Sequence, residues 1–323
     1  MPARLTVHFP SRPARVVPLP DGRETVIGRG TECDVVLEDD RVSRRHAVVV
    51  SDGKAWSLTD LASKNGTLID GVPATTGLLK ERSWLSFGGL IARFEVGPFD
   101  DDRLRRFSTS LELRRGLSPE LGLAELLPRV VASMLELTGA ERGFLLLADA
   151  DGELAIAARS GPSWEDLNNG GFGGSLGAVQ RALDTGAPVV AVDTRADAEL
   201  GERASIVNTG IRALLCVPVH ALDRLIGVMY ADSRQPGKAF TELDLEILAA
   251  LAAQAGLAIA VARLDEELKG LAHRIAETPG ADAGLRNRLA GEVSAVLDRT
   301  LRPATFHEEA VAGALEAPLG IGP

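Results

Sequence analysis

Over its first 97 residues the chain repeats one pattern: a short β-branched or alternating apolar run, then a cluster of Gly, Asp, Asn or Pro. The runs are Leu5–Phe9, Thr25–Ile27, Val35–Leu37, Ala47–Val50, Trp56–Leu58 and Ile91–Val96. Turn signals at that spacing leave no room for helices. The pattern predicts a small all-β sandwich whose loops gather at its ends.

The pattern changes after residue 97. Residues 98–118 form a charged run containing Arg103, Arg105, Arg106, Arg114 and Arg115, read as a linker with some helix. Residues 119–265 mix types. A helix is expected from Pro119 to Leu137 with Ser118 as N-cap, and strands at Arg142–Ala148 and Leu154–Arg159. A Gly-rich loop at 170–174, a helix from Ser175 and a strand at Pro188–Val192 follow. Ala213–Val219 and Leu225–Ala231 then read as neighbouring central strands of an antiparallel sheet. A long helix opens at Thr241, where Asp244 stands in the capping-box position. This second region is α+β, without strict βαβ alternation. Leu257, Val261, Leu264, Leu268, Leu271 and Ile275 continue the last helix at spacings of four and three, a coiled-coil register that Pro279–Gly280 stops. A further helix is expected at Leu285–Leu301, followed by a disordered tail.

With 323 residues the chain exceeds one ordinary core. The formal net charge is −10, which disfavours general binding to nucleic acid or an anionic membrane. Two distant cysteines, Cys33 and Cys216, exclude a disulfide framework and a cysteine-based zinc site. The N-terminus does not read as a signal peptide, and the apolar stretch 248–262 is short for a membrane span, so a cytoplasmic location is expected. His8, His220, His273 and His307 are isolated, and neither a metal nor a cofactor is expected.

Three clusters in the first region carry the chemistry: Gly28-Arg29, Ser43-Arg44-Arg45-His46 and Ser63-Lys64-Asn65-Gly66-Thr67. A guanidinium fork, a hydroxyl donor and two further cations suit a phosphate. An Asn side chain, both donor and acceptor, suits a peptide backbone, and the following Gly suits a turn with positive φ. In this order and spacing the clusters resemble the FHA family of phosphothreonine-binding domains. The resemblance implies that Arg29 and Ser43 bind the phosphate, with Arg44 and Lys64 assisting. Asn65 would hold the peptide main chain, and Arg41 would meet the residue after the phosphothreonine. Gly28, His46, Gly66 and Thr67 would be structural, His46 bracing the loop that carries Ser43.

In the second region, Gly210–Val219, Leu225–Asp232 and Phe240–Asp244 resemble the GAF family of small-molecule sensor domains. The resemblance implies a ligand pocket floored by the sheet, with residues 161–174 and the helix from Ser175 as its lid. The cyclic-nucleotide pattern of that family is not met, because Phe240 leads to Asp244-Leu245 and no Asn-Lys occurs. An unidentified small-molecule ligand and a purely dimerising role both remain open.

Enzyme signatures fail in context. Gly173-Gly174-Ser175-Leu176-Gly177 matches a nucleophile elbow, with Asp193 and His220 following, but a polar loop precedes it where an apolar strand is needed. Gly237-Lys238-Ala239 lacks the rest of a phosphate loop. Arg105-Arg106-Phe107-Ser108-Thr109-Ser110 could accept phosphate from a basic-directed kinase, and phosphorylated Thr109 could then dock on an FHA domain.

The expectation is therefore a multidomain bacterial signalling protein: an all-β FHA sandwich (1–97), a charged linker (98–118), an α+β antiparallel-sheet GAF domain (119–265) and a C-terminal coiled-coil helix with a tail (266–323). It would be a non-enzymatic homodimer that binds phosphothreonine proteins made by a Ser/Thr kinase. The alternatives are a small-molecule sensor led by the GAF pocket and, remotely, a serine hydrolase.

Overall fold

The computed structural model describes residues 2–10, 12–97, 102–149, 151–162, 175–191, 210–235 and 237–276. The chain divides into two compact units, residues 1–105 and 106–323.

The first unit is a β-sandwich. One sheet has six strands in the order β2-β1-β11-β10-β7-β8: β2 (Arg12–Leu19), β1 (Ala3–Phe9), β11 (Leu90–Val96), β10 (Trp84–Phe87), β7 (Thr67–Ile69) and β8 (Val72–Pro73). The other has five, β4-β3-β5-β6-β9: β4 (Val35–Val36), β3 (Thr25–Gly28), β5 (Ala47–Ser51), β6 (Trp56–Asp60) and β9 (Thr76–Leu79). Alternation decides which side chains enter the core. Along β1, Ala3, Leu5, Val7 and Phe9 are buried while Arg4, Thr6 and His8 between them are only half-buried. Leu5, Ile27, Val49, Leu58, Leu85, Phe87 and Phe94 from both sheets close one core.

The second unit is built on a five-stranded antiparallel sheet, β13-β12-β16-β15-β14: β13 (Leu154–Ser160), β12 (Arg142–Ala148), β16 (Arg224–Ser233), β15 (Ala213–Ala221) and β14 (Val189–Ala191). The expected pairing of 213–219 with 225–231 is present as β15 on β16, with β16 in the middle. Helices α1 (Asp102–Arg115), α2 (Gly122–Thr138), α3 (Leu176–Thr185) and α4 (Glu242–Ala276) complete the described elements. Leu126, Val130, Met134 and the α4 residues Leu248, Leu251, Ala255 and Ile259 share one core with Leu215, Val217 and Met229 of the sheet. Ala178, Val179 and Ala182 of α3 share the other, with Phe144, Leu146, Cys216, Val228 and Tyr230.

Local chemistry sets the helix ends. Ser175 caps α3, its hydroxyl accepting the Ala178 N–H. Thr241 and Asp244 form the expected capping box on α4: the Thr241 N–H donates to Asp244 Oδ2 at 2.6 Å, and the Asp244 N–H to Thr241 Oγ1 at 3.2 Å. The helix expected from Pro119 starts as a 3₁₀ turn over Pro119–Leu121 and becomes α-helical at Gly122. The charged run read as a linker is the helix α1 from Asp102 onward. Arg106 reaches both the Leu137 carbonyl and the buried Asp244 carboxylate, so α1 is anchored where α2 ends and α4 begins. The expected Gly-rich loop, Asp193, the helix over 285–301 and the tail lie outside the described residues.

Candidate functional site

Loops of the first unit meet through hydrogen bonds. The Arg29 N–H donates to the Ser43 carbonyl at 2.9 Å, and the Gly30 N–H to the Arg44 carbonyl at 3.0 Å. The Lys64 N–H donates to Ser43 Oγ at 2.9 Å. Asn65 Nδ2 donates to the Arg41 carbonyl at 2.7 Å. The Gly88 N–H, in the β10–β11 turn, donates to the Gly66 carbonyl at 3.1 Å. Arg29, Arg41, Ser43, Arg44, Lys64 and Asn65, scattered over 37 positions of sequence, thus stand on loops bonded directly to one another.

The residues beneath them explain why the loops hold this shape. A Cβ on Gly28 would lie 2.2 Å from the Arg44 carbonyl oxygen and 2.9 Å from Cys33 Sγ, so only glycine lets β3 pass under the Ser43–Arg44 loop. Cys33 fills the space beside it and donates to the Arg44 carbonyl at 3.0 Å. His46 is fully buried, edge-on to Phe87. Its Nδ1 accepts the Ser43 N–H at 3.0 Å, which leaves the proton on Nε2 to donate to the Gly66 carbonyl at 3.1 Å. One neutral ring therefore ties the Ser43 loop to the Asn65–Gly66 loop, and burial lowers its pKa below the ordinary value. Gly66 carries φ +76°, as the Asn-Gly turn requires. Thr67 is buried and donates to Asp60 Oδ2 at 2.5 Å.

Three supporting residues were not legible in advance. Asp60 collects the Ser63 N–H (2.8 Å), the Ser63 hydroxyl (2.6 Å) and the Thr67 hydroxyl, and so shapes the loop that presents Lys64 and Asn65. Asp39 grips Arg41 with both oxygens, Nε–Oδ1 at 3.0 Å and Nη2–Oδ2 at 2.8 Å, and the Arg41 guanidinium holds its carboxyl below the usual range. Gly88 lies so close that a Cβ would meet the Arg41 carbonyl oxygen at 2.2 Å. The Asp60-x-x-Ser63 spacing and the Gly88-Gly89 pair were the available signals.

Charge distinguishes the rim of this site. Arg12, Arg23 and Arg41 each pair with a carboxylate. Arg29, Arg44 and Lys64 are exposed, and none has a carboxylate within ion-pair reach among the described residues. Ser43 Oγ already accepts the Lys64 N–H, which leaves its own proton to donate. Uncompensated cations around a hydroxyl donor and a bracing Asn can hold a dianionic ester beside an extended backbone.

The second unit was expected to carry a pocket and, remotely, a nucleophile. Ser175 is fully buried, and its hydroxyl is engaged as the α3 cap. Its N–H donates to the Tyr230 hydroxyl at 3.0 Å. His220 is exposed on β15. Lys238, from the failed phosphate-loop match, donates to the Thr138 carbonyl at 2.6 Å and so closes the C-terminus of α2. On the α3 side of the sheet, Arg142 and Asp232 form a buried two-pronged ion pair at 2.6 and 2.7 Å. Burial raises the Asp232 carboxyl despite the guanidinium, and raises the Tyr230 phenol. Residues 163–174 of the expected lid lie outside the described residues.

Comparison with known proteins gives two matches. Residues 25–88 match the FHA domain family model and residues 122–259 the GAF domain family model. The chain carries an FHA domain followed by a GAF domain, and the FHA match spans all six rim residues. The glycogen accumulation regulator GarA of Mycolicibacterium smegmatis is 33% identical over 82 residues, 25% of this chain and 52% of GarA. The FHA domain-containing protein FhaB of Mycobacterium tuberculosis is 42% identical over 53 residues, 16% of this chain and 34% of FhaB. An oxoglutarate dehydrogenase inhibitor of Corynebacterium jeikeium is 33% identical over 68 residues, 21% and 47% of the two chains. The chain spans between a third and about half of the length of these relatives.

Proposed function

We propose that the FHA domain captures phosphothreonine segments of partner proteins and that the chain is a non-catalytic, phosphothreonine-dependent signalling adaptor of the bacterial cytoplasm. The observation that carries this is the set of unpaired cations, Arg29, Arg44 and Lys64, around the free donor of Ser43. Arg29 and Ser43 hold the phosphate, Arg44 and Lys64 add charge, and Asn65 takes the peptide backbone. Arg41, set by Asp39, faces the following residue.

The magnitudes suit a switch. Micromolar binding corresponds to about −8 kcal/mol. Each hydrogen bond to a charged group contributes roughly 1.5–3 kcal/mol. Two or three such bonds separate a phosphorylated from an unphosphorylated segment, and backbone contacts provide the remainder. The partners are substrates of a Ser/Thr kinase. GarA is named as a regulator and the Corynebacterium jeikeium relative as an inhibitor, which supports a regulatory reading here. In the GAF domain, Ser175 serves the fold as a cap, which leaves the hydrolase reading without a nucleophile. A cytoplasmic site accords with α4, which is long and apolar enough to cross a membrane but has half of its most apolar window buried in the core.

Calorimetry of the full chain against a phosphothreonine peptide library tests the reading. Micromolar binding that disappears with phosphatase treatment and in Arg29→Ala is the expected result. Equal affinity for phosphorylated and unphosphorylated forms of every peptide overturns it.

A further inference from the structure

Helix α4 is apolar on two faces. One, with Leu248, Leu251, Ala255, Ile259 and Ala262, is buried against the GAF sheet and α2. The other carries Leu257, Val261 and Leu268, exposed at 49%, 50% and 44%, with half-buried Leu264 between the last two. A surface helix of a soluble domain normally turns a polar face outward.

The sequence carries a second apolar stripe beyond α4. Leu285, Leu289, Val293, Leu297 and Leu301 recur every four positions, and on a helix Val296 falls on the same side. Asn287, Arg288, Asp298 and Arg299 fall on the other. The segment lies outside the described residues. Between it and the end of α4 at Ala276 stand eight residues, 277–284, which include Pro279-Gly280. Connections of roughly 2–8 residues join antiparallel neighbours in helix bundles.

We infer that residues 285–301 fold back as a helix antiparallel to α4 of the same chain and cover its outer stripe. With Leu285 level with residue 275, the segment brings Val293 to Leu268, Leu297 to Leu264 and Leu301 to Val261, to within about one residue. The lengths agree, since 285–301 spans about 26 Å as a helix and 261–275 about 21 Å. Pro303 then stops the segment near Leu257. Charge favours the same arrangement. Asp265, Glu266 and Glu267 stand together beside the stripe, while residues 285–302 hold four arginines against two acids, Glu292 and Asp298. An apolar row at every fourth position packs into the groove of a neighbouring helix. The short connection also gives this segment an effective concentration of about millimolar, far above that of a separate partner at micromolar concentration. The contact uses no FHA residue and goes beyond phosphopeptide recognition.

Air oxidation and hydrogen exchange of the full chain test this. Leu268→Cys with Val293→Cys should form a disulfide within one chain, seen as a faster-migrating band at the monomer mass that reducing agent removes. Leu268→Cys with Ala295→Cys, on the far side of the segment, should not. The native thiols Cys33 and Cys216 are buried and do not compete. Leu289→Lys with Leu297→Lys should speed amide exchange over Val261–Leu268 by about tenfold or more, while exchange in the GAF sheet stays unchanged. A disulfide that appears only at twice the chain mass assigns the stripe to a second copy and overturns the proposal. So does a Val293 pair that links no better than the Ala295 pair, or exchange over Val261–Leu268 that the lysines leave unchanged. Phosphopeptide titration of the lysine variant keeps the two readings apart, since binding should persist.

Discussion

Replacing Asn65 by alanine separates holding a peptide from holding the fold. Its side chain has two N–H donors and one carbonyl. One donor is committed to the Arg41 carbonyl at 2.7 Å, which leaves a donor and an acceptor facing solvent on an exposed residue. These are the two groups an extended peptide backbone needs. Each neutral hydrogen bond is worth about 0.5–1.5 kcal/mol, so losing both costs about 1–3 kcal/mol, a weakening of about 5- to 150-fold. The internal bond to Arg41 is solvent-accessible, so its loss should lower stability by about 1 kcal/mol or less. The assay is calorimetric titration of full-length protein with one phosphothreonine peptide, alongside the melting temperature of each variant. Affinity should fall by about 5- to 150-fold while the FHA melting transition shifts by only a few degrees. An unchanged affinity would refute the assignment of Asn65 to the peptide. A large stability loss with proportionate loss of binding would show it to be a scaffold residue.

Other expectations follow from the same contacts. Gly28→Ala drives a methyl group into the Arg44 carbonyl and should cost about 1–3 kcal/mol of FHA stability, read as a drop in the denaturation midpoint, with binding weakened in parallel. Breaking the buried pair with Arg142→Met should destabilise the GAF unit by about 3–5 kcal/mol and leave the FHA transition in place, as differential scanning calorimetry can resolve. For pH, His46 lies below its ordinary value through burial, and His8 is lowered to about 4 by burial and the nearby Arg93. The unfolded chain takes up these protons near pH 6.5 while the folded chain resists, so their contribution is complete above about 6.5 and is lost as the pH falls toward about 4. The FHA melting temperature should therefore be lower at pH 5 than at pH 7.5, and equal midpoints would contradict the neutral His46 bridge.

The rim of the candidate site could be named from the sequence because its chemistry is carried by residue identity, and the structure brings those residues onto loops that bond to one another. Arg29, Ser43 and Asn65 need only be named in order. The supports were hidden because their roles depend on contacts between loops. Asp60 looks like any strand-end acid until the chain brings Ser63 and Thr67 onto it, and Asp39 until Arg41 folds back. Short strands such as β7 and β8, of three and two residues, carry too little alternation to be seen beforehand. The β15–β16 pair was plain, because two long apolar runs flank a tight turn. The start of α2 was displaced because Gly122, at φ +69°, separates the 3₁₀ turn at Pro119–Leu121 from the α-helix. The charged run at 102–115, read as a linker with some helix, is helical from Asp102 to Arg115, and its Arg106 satisfies acceptors of the GAF unit, a role its composition does not announce.

Tyr230 is the chain's only tyrosine, and it is fully enclosed at the centre of the GAF sheet. Nature has thereby installed a private chromophore. A rise in phenolate absorbance under alkaline conditions would report the opening of the GAF core alone, without any label and without contribution from the FHA sandwich.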